Sequence, residues 1–379
     1  SAYCPLNYNK GPAMHILKYL LLVLALLGMG GYWFVSQPQM DPLMTEARRK
    51  KIEASPHYVN GQFVPEHAHK EVKVGMGFWK EFLFPTPGKT IPKDVMIHEK
   101  TDLKSLPPDE DVVVWMGHSS FYMQLHGKKI LIDPIAATYA APVPFVDKAM
   151  EGSNVYGPDD IPDDIDVMVL SHDHWDHLDY DFVRAIEPKV HHVVTGLGNG
   201  GYYEKWGYPL SKIHEEDWWT PVEIDEDLTV WFLPSRHFSG RMLHRNQTLY
   251  GSFAFITPDR KVYYTGDGGY DDRFEKIGEK FGGFDLALIE DGQYNRSWPT
   301  VHMMPEESAK AGEDLHAAAV IPCHNGKYPL SDHSWKDPYE RITAAAEGKP
   351  YTLLTPEIGQ KVDIGKPNPH LRHWWEEME

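Results

Sequence analysis

The run "DVMVLSHDHWDHLD" (166–179) constrains this chain more than any other stretch. An apolar, strand-like segment ends at Leu170 and is followed by His172, Asp173, His174, Asp176, His177 and Asp179. Polar groups are thus crowded directly behind residues that must be buried, and uncompensated burial of such groups costs several kcal/mol. Divalent metal ions offset that cost, because neutral imidazoles and carboxylates are their ordinary ligands. Three further apolar runs repeat the arrangement: "TVWFLPSR" leads into His237, "KVYYTG" into Asp267 and "AAVIPC" into His324. If these strands lie in facing sheets with their exits at one edge, His172, His174, Asp176, His177, His237, Asp267 and His324 converge. Seven ligands are too many for one tetrahedral ion and suit two, with H-x-H on the first, Asp-His facing the second and a carboxylate such as Asp267 able to bridge. Two divalent ions, with zinc the expected metal, would share a water or hydroxide that is nucleophilic at neutral pH.

The remaining chemistry narrows the alternatives. A formal net charge of −18 over 379 residues argues against nucleic acid as the main partner and gives no attraction to anionic membrane surfaces. Cys4 and Cys323 are the only cysteines, so neither a disulfide framework nor a thiolate metal site is available. "GLGNGG" (196–201) lacks the spacing and acidic partner of a dinucleotide loop, and Ser119 and Ser120 lack a nucleophile elbow. His191, His192, His214, His316 and His333 read as surface or packing residues. Nothing in the sequence argues against an oligomer.

From Asp111 onward, "DVVVWMG", "FYMQLHG" and "KKILIDP" read as a meander of short strands. Strands and helices then alternate, with helices expected over 179–186, 200–206, "RFEKIGEKF" and "PEESAKAGEDLHAA", the last opened by Pro305. This pattern predicts layered α/β packing over residues 106–379, with the proline-rich stretch 37–105 as a linker that wraps the domain. Residues 1–14 read as a tail, Met14 resembling a natural start. Tyr19–Val35 is 17 residues without a charge and reads, within 15–36, as a membrane anchor, with a cleaved signal peptide as the alternative. Lys18 favours an N-terminus inside, whereas Arg48, Arg49, Lys50 and Lys51 favour the reverse.

H-x-H-x-D-H after a strand, followed by single His, Asp and His at later strand exits, resembles the metallo-β-lactamase superfamily over about residues 105–365. Within it, "WMGHSSFYMQL", "ILIDPI", "SHDHWDHLDY", "LPSRHFSGR", "GDGGYDDRFEKIGEKFGGFDLALI" and "HMMPEES" are most similar to the N-acylphosphatidylethanolamine-hydrolysing phospholipase D group and its bacterial relatives. The resemblance implies an αβ/βα sandwich with the site at one edge, and a two-zinc phosphodiesterase acting on a membrane lipid. It implies that His172, His174 and His237 hold one ion, that Asp176, His177 and His324 hold the other, and that Asp267 bridges. Asp176 and His302 are the expected catalytic residues, with His302 beside the substrate phosphate, and His118 packs near the site. The expected location is a bacterial inner membrane with the catalytic domain outside the cytoplasm. Two blocks depart from the group: "HNGKY" after His324 and "DGQYNRSWPT" before Val301. Two alternatives stand beside the phosphodiesterase: a lactonase for a small phosphorylated metabolite, and a non-catalytic, membrane-tethered metal-binding protein.

Overall fold

A computed structural model describes residues 12–70, 72, 74–241 and 244–379. Most of the expected tail, with Cys4 and Lys10, lies outside the described residues. Helix α1 (Pro12–Val35) is unbroken, and its 22 residues from Met14 are apolar enough to cross a membrane and, among the described residues, find no cover. Three residues beyond it the chain already touches the body, where the Trp206 indole donates to Pro38 O at 2.9 Å and Met40 is buried.

The segment before the sheets holds α2 (Glu46–Glu53), the hairpin of β1 (Tyr58–Val59) and β2 (Gln62–Phe63), and α3 (Met76–Leu83). Neither helix is predicted by the sequence pattern, because neither rests on an apolar stripe that it buries. The side chain of Thr45 caps α2 by accepting from Arg48 N. Buried Arg48 then donates to Glu215 at 2.9 Å, to Glu204 at 2.9 Å and to Leu43 O at 2.6 Å. A guanidinium with carboxylate and carbonyl partners is a stable way to bury charge, and it clamps the wrapping segment onto the body.

The body is a sandwich. In chain order the strands are β3 (Val112–Trp115), β4 (Phe121–Leu125), β5 (Lys128–Ile132), β6 (Ile165–Leu170), β7 (Val190–Gly196), β8 (Ile213–Glu216), β9 (Thr220–Glu223), β10 (Thr229–Leu233), β11 (Ser252–Ile256), β12 (Lys261–Tyr264), β13 (Leu286–Glu290), β14 (Ala319–Cys323), β15 (Thr352–Leu353) and β16 (Lys361–Asp363). One sheet has the order β16-β3-β4-β5-β6-β7-β8 and the other β15-β14-β13-β12-β11-β10-β9. Each begins as an antiparallel meander and ends as parallel strands: β5 to β8 in one, β12 to β15 in the other. Alternation along each strand sends one set of side chains to the shared core, among them Ile130, Ile132, Val167, Val169, Phe253, Phe255, Leu286 and Leu288. The opposite set packs under helices: α4 (Tyr180–Ile186) and α5 (Gly200–Lys205) on the first sheet, α6 (Arg273–Phe281) and α7 (Pro305–Asp314) on the second. This is the αβ/βα architecture of a metallo-β-lactamase fold. A last helix, α8 (Asp337–Ala346), packs against α7.

The sequence pattern extends α7 to Ala318, but the helix stops at Asp314. His316 takes φ 52° and Ala317 N returns to Gly312 O, which turns the chain into β14. Breaking the Arg48 clamp should be costly. Arg48→Met leaves Glu204 and Glu215 facing each other without a cation, and a loss of about 2–4 kcal/mol is expected, read as a lowered midpoint in thermal unfolding.

Candidate metal centre

Strands that run in one direction, the parallel ones and β10, deliver their C-terminal ends to one edge of the sandwich. Four of these exits, after β6, β10, β12 and β14, carry the seven residues that the spacing singles out, and the structure brings all seven together. His172 Nε2 lies 2.8 Å from His174 Nδ1, which lies 3.2 Å from His237 Nε2. His177 Nε2 is 3.4 Å from Asp176 Oδ2, and His324 Nδ1 is 4.0 Å from the same oxygen. Asp267 Oδ2 sits between the two sets, 3.1 Å from His177, 3.2 Å from His324, 3.7 Å from His172 and 3.8 Å from His237. Gly266 and Gly268 flank Asp267 with φ of 55° and 157°. A Cβ at Gly266 would meet Gly251 O at 2.4 Å and one at Gly268 would meet Ser235 Oγ at 2.4 Å, so only glycines let this loop carry the carboxylate inward.

The ligand imidazoles are oriented from behind. His177 Nδ1 donates to Asp133 Oδ2 at 2.8 Å and His237 Nδ1 to Val301 O at 3.2 Å. Ser171 Oγ is 3.0 Å from His172 Nδ1, and Ser119 Oγ is 3.0 Å from His324 Nδ1. Each of these four rings therefore turns Nε2 toward the centre, as ligating histidines do. His174 is the exception, presenting Nδ1. His118 lies beside the site: its Nε2 donates to Asp176 Oδ2 at 2.8 Å. Asp173 and Asp179 are not part of the centre. Asp173 accepts from Gly240 N, Tyr202 and Thr248, whereas Asp179 caps α4 and accepts from Ala136 N.

Electrostatics decide whether a cation fits. Burial keeps His172, His174, His237 and His324 well down, in the neutral form that ligates. His177 is the reverse case: burial opposes its charge, yet Asp267, Asp176 and Asp133 hold it well above the usual range. Burial pushes Asp267 up to about 7. Among the described residues, Asp267 Oδ1, His174 Nε2 and His324 Nε2 are buried without a hydrogen-bond partner. Crowded nitrogen and oxygen donors with missing partners are what divalent cations satisfy, so the donor set fits metal. The nearest groupings are His172, His174 and His237; His118, Asp176, His177 and His324; and Asp267 with members of both.

His302 also reaches the centre, on the loop before α7. Its Nδ1 donates to Glu290 Oε1 at 2.7 Å, and its ring lies 5.1 Å from that of His237 and 5.0 Å from that of His324. Glu290, at the exit of β13, also accepts from Gly268 N and Met303 N. Burial pushes this carboxyl up and the imidazole down.

Sequence reasoning missed Asp133, Glu290 and His69. Asp133 and Glu290 stand at the exits of β5 and β13, so the rule that found the ligands also marks them. His69 carries no such signal. It comes from the wrapping segment and sits between His237 O, 2.9 Å from Nε2, and Thr300 O, 3.0 Å from Nδ1.

Asp267→Ala should lose bound metal, measured as metal per chain by mass spectrometry, and Asp133→Ala should weaken metal binding by roughly 10–100-fold. Affinity should also fall as pH drops through about 7, because a protonated Asp267 competes with the ion; a metal titration at several pH values checks the sign.

Comparison with known proteins agrees with the geometry. A family model described as "Beta-lactamase superfamily domain" matches residues 128–325. An uncharacterized protein of Mycobacterium tuberculosis is 38% identical over 276 residues, covering 69% of this chain and 71% of its own. The N-acyl-phosphatidylethanolamine-hydrolyzing phospholipase D 1 of Caenorhabditis elegans is 32% identical over 269 residues, covering 65% of this chain and 74% of its own. Among solved structures, the isothiocyanate hydrolase from Delia radicum gut bacteria matches the fold with a TM-score of 0.54 at 18% identity, over 67% of this chain and 99% of its own. The chain belongs to the metallo-β-lactamase superfamily, as a metal-dependent hydrolase.

Proposed function

We propose that the protein is a membrane-anchored phosphodiesterase of the phospholipase D type that hydrolyses an N-acyl phospholipid. The observation that carries the reading is the combination of seven convergent ligand-type residues with one further imidazole, His302, that is oriented by Glu290 and faces the same centre. Similarity to the phospholipase from C. elegans supports the substrate class. His172, His174 and His237 would hold one zinc ion, Asp176, His177 and His324 the other, and Asp267 both. Bound there, the ions would supply Lewis acidity and lower the pKa of water.

The chain's own residues do the rest. His118 holds Asp176, and Asp133 holds His177, so neither ligand reorients during turnover. In the cleavage, water adds to phosphorus and gives its proton to the free lone pair of His302 Nε2, while the bond from phosphorus to the head-group oxygen breaks. That oxygen leaves as an alcohol by taking the same proton from Nε2, and Nδ1 stays bonded to Glu290 throughout. Residues 15–36 anchor the body, 37–105 wrap it and 106–379 form the hydrolase domain.

Zinc-loaded protein should convert vesicles containing N-acylphosphatidylethanolamine to phosphatidate and N-acylethanolamine, seen by lipid mass spectrometry. Absence of any phosphodiester turnover sinks the proposal. His302→Ala should keep its metal and lose roughly a hundredfold or more in rate; a lost ion would make His302 a ligand instead. Deleting residues 1–36 should spare a small soluble phosphodiester and weaken turnover of vesicle lipid, since the anchor raises local substrate concentration without touching the site. Equal processing of vesicles by the two forms would defeat the anchoring argument.

A further inference from the structure

The wrapping segment presents apolar surface that the body does not cover. Around α3, Val72, Val74, Met76, Trp79, Leu83 and Phe84 are all exposed, with Met76 at 85% and Phe84 at 73%. Away from α1, the other exposed large apolar residues are scattered along the sequence. An apolar run of this kind on one short helix and its flanks is a binding surface rather than ordinary surface composition. The helix is also held firmly. Phe78 packs edge-on against Trp298 with ring centroids 5.0 Å apart, and Phe82 stacks on Phe78. Glu81 accepts from Thr86 N at 2.8 Å, from Thr90 Oγ1 at 3.1 Å and from Lys89 at 3.1 Å. The exposed side chains are therefore displayed by a fixed scaffold.

The scaffold belongs to the rim of the metal centre. Trp298 stands three residues before Val301, whose carbonyl accepts from His237, and four before His302. Just upstream of α3, Lys70 N donates to Thr300 Oγ1 at 2.9 Å, and His69 sits between Thr300 O and His237 O. The loop that supports the ligands is the same loop on which α3 rests.

What covers the patch follows from the tether. Between the end of α1 and buried Met40 lie residues 36–39, which span at most about 14 Å even when extended. A spanning helix at one end then holds the body against the bilayer surface. Trp79 and Phe84 suit the interfacial zone, where aromatic side chains settle, and α3 carries Lys80 and Glu81 with little net charge. We infer that α3 is a second contact with the membrane: a short interfacial helix that seats the rim of the metal centre on the lipid surface. The inference rests on the reading of α1 as an anchor and of the substrate as a phospholipid. Its occupant is a zwitterionic phospholipid bilayer, recognised by apolar burial and not by charge.

The test uses the full chain in phosphatidylcholine nanodiscs, with Cys4→Ser so that single thiols can be labelled; Cys323 is buried. An environment-sensitive fluorophore is placed at Met76→Cys or Phe84→Cys, and at Asp109→Cys as a control on the turn entering β3, at the opposite edge of the sandwich. Brominated lipid should quench the labels at 76 and 84 by at least about twofold and leave 109 unchanged, as expected for side chains seated at the acyl boundary. Trp79→Ser with Phe84→Ser should lower the ratio of vesicle to soluble-substrate turnover about tenfold. Unquenched labels at 76 and 84 overturn the inference even if vesicle lipid is hydrolysed. Shielding that ignores brominated lipid but rises with protein per disc would also overturn it, in favour of a second copy of the chain. Quenching without any phosphodiester turnover keeps the contact and removes the substrate reading instead.

Discussion

Four hydrogen bonds to one buried carboxylate set the geometry of this protein. Asp133 accepts from Ser171 N and Oγ, from His177 Nδ1 and from the Tyr264 hydroxyl. Those donors come from the exit of β6, from the ligand loop and from β12 of the facing sheet. A buried carboxylate is tolerable only when fully bonded. Satisfying it therefore forces two sheets and a loop into a single register, and the same bonds fix which nitrogen of His177 faces the metal centre. The geometry of the candidate site and the packing of the sheets are one problem here, solved by one side chain.

Backbone strain gathers at the same edge. His118, Asp133 and His324 all take positive φ, of 55°, 38° and 64°. Side chains other than glycine avoid this region, at a cost of order 1–3 kcal/mol each. It persists because the loops hold one another: His118 N donates to Asn325 O, and His324 N donates back to His118 O. A Trp115 indole donates to the same His118 carbonyl at 2.8 Å. The β3–β4 loop of one sheet and the β14 exit of the other are thereby knitted together behind Asp176 and His324.

The seven candidate ligands were legible because each carries its own chemistry and sits at a repeated place, just past an apolar strand. The meander of β3 to β5, the apolar runs of β6, β7, β10, β12 and β14, and the helical spacing of α6 were legible in the residue pattern. What escaped depended on partners far off in sequence. Asp133 stands at a strand exit as the candidate ligands do, but its role shows only once Tyr264, 131 residues later, is seen to donate to it. Helix α2 has no apolar stripe and rests on Arg48 bonds to residues more than 150 positions away. His69 matters only because the wrapping segment crosses the loop around Thr300. The end of α7 was misread because apolar spacing continues through residues that turn instead of coiling.

The metal centre is built from both sheets, with β6 on one side and β10, β12 and β14 on the other. Opening either sheet locally would pull its donors away from the remainder. A bound ion thus favours only those conformations in which the two halves remain closed, and through mass action it adds its binding energy to the contact between them. The halves should then melt as one unit when loaded, whatever their separate tendencies. Cooperative unfolding becomes a property of the ligand set as much as of the core.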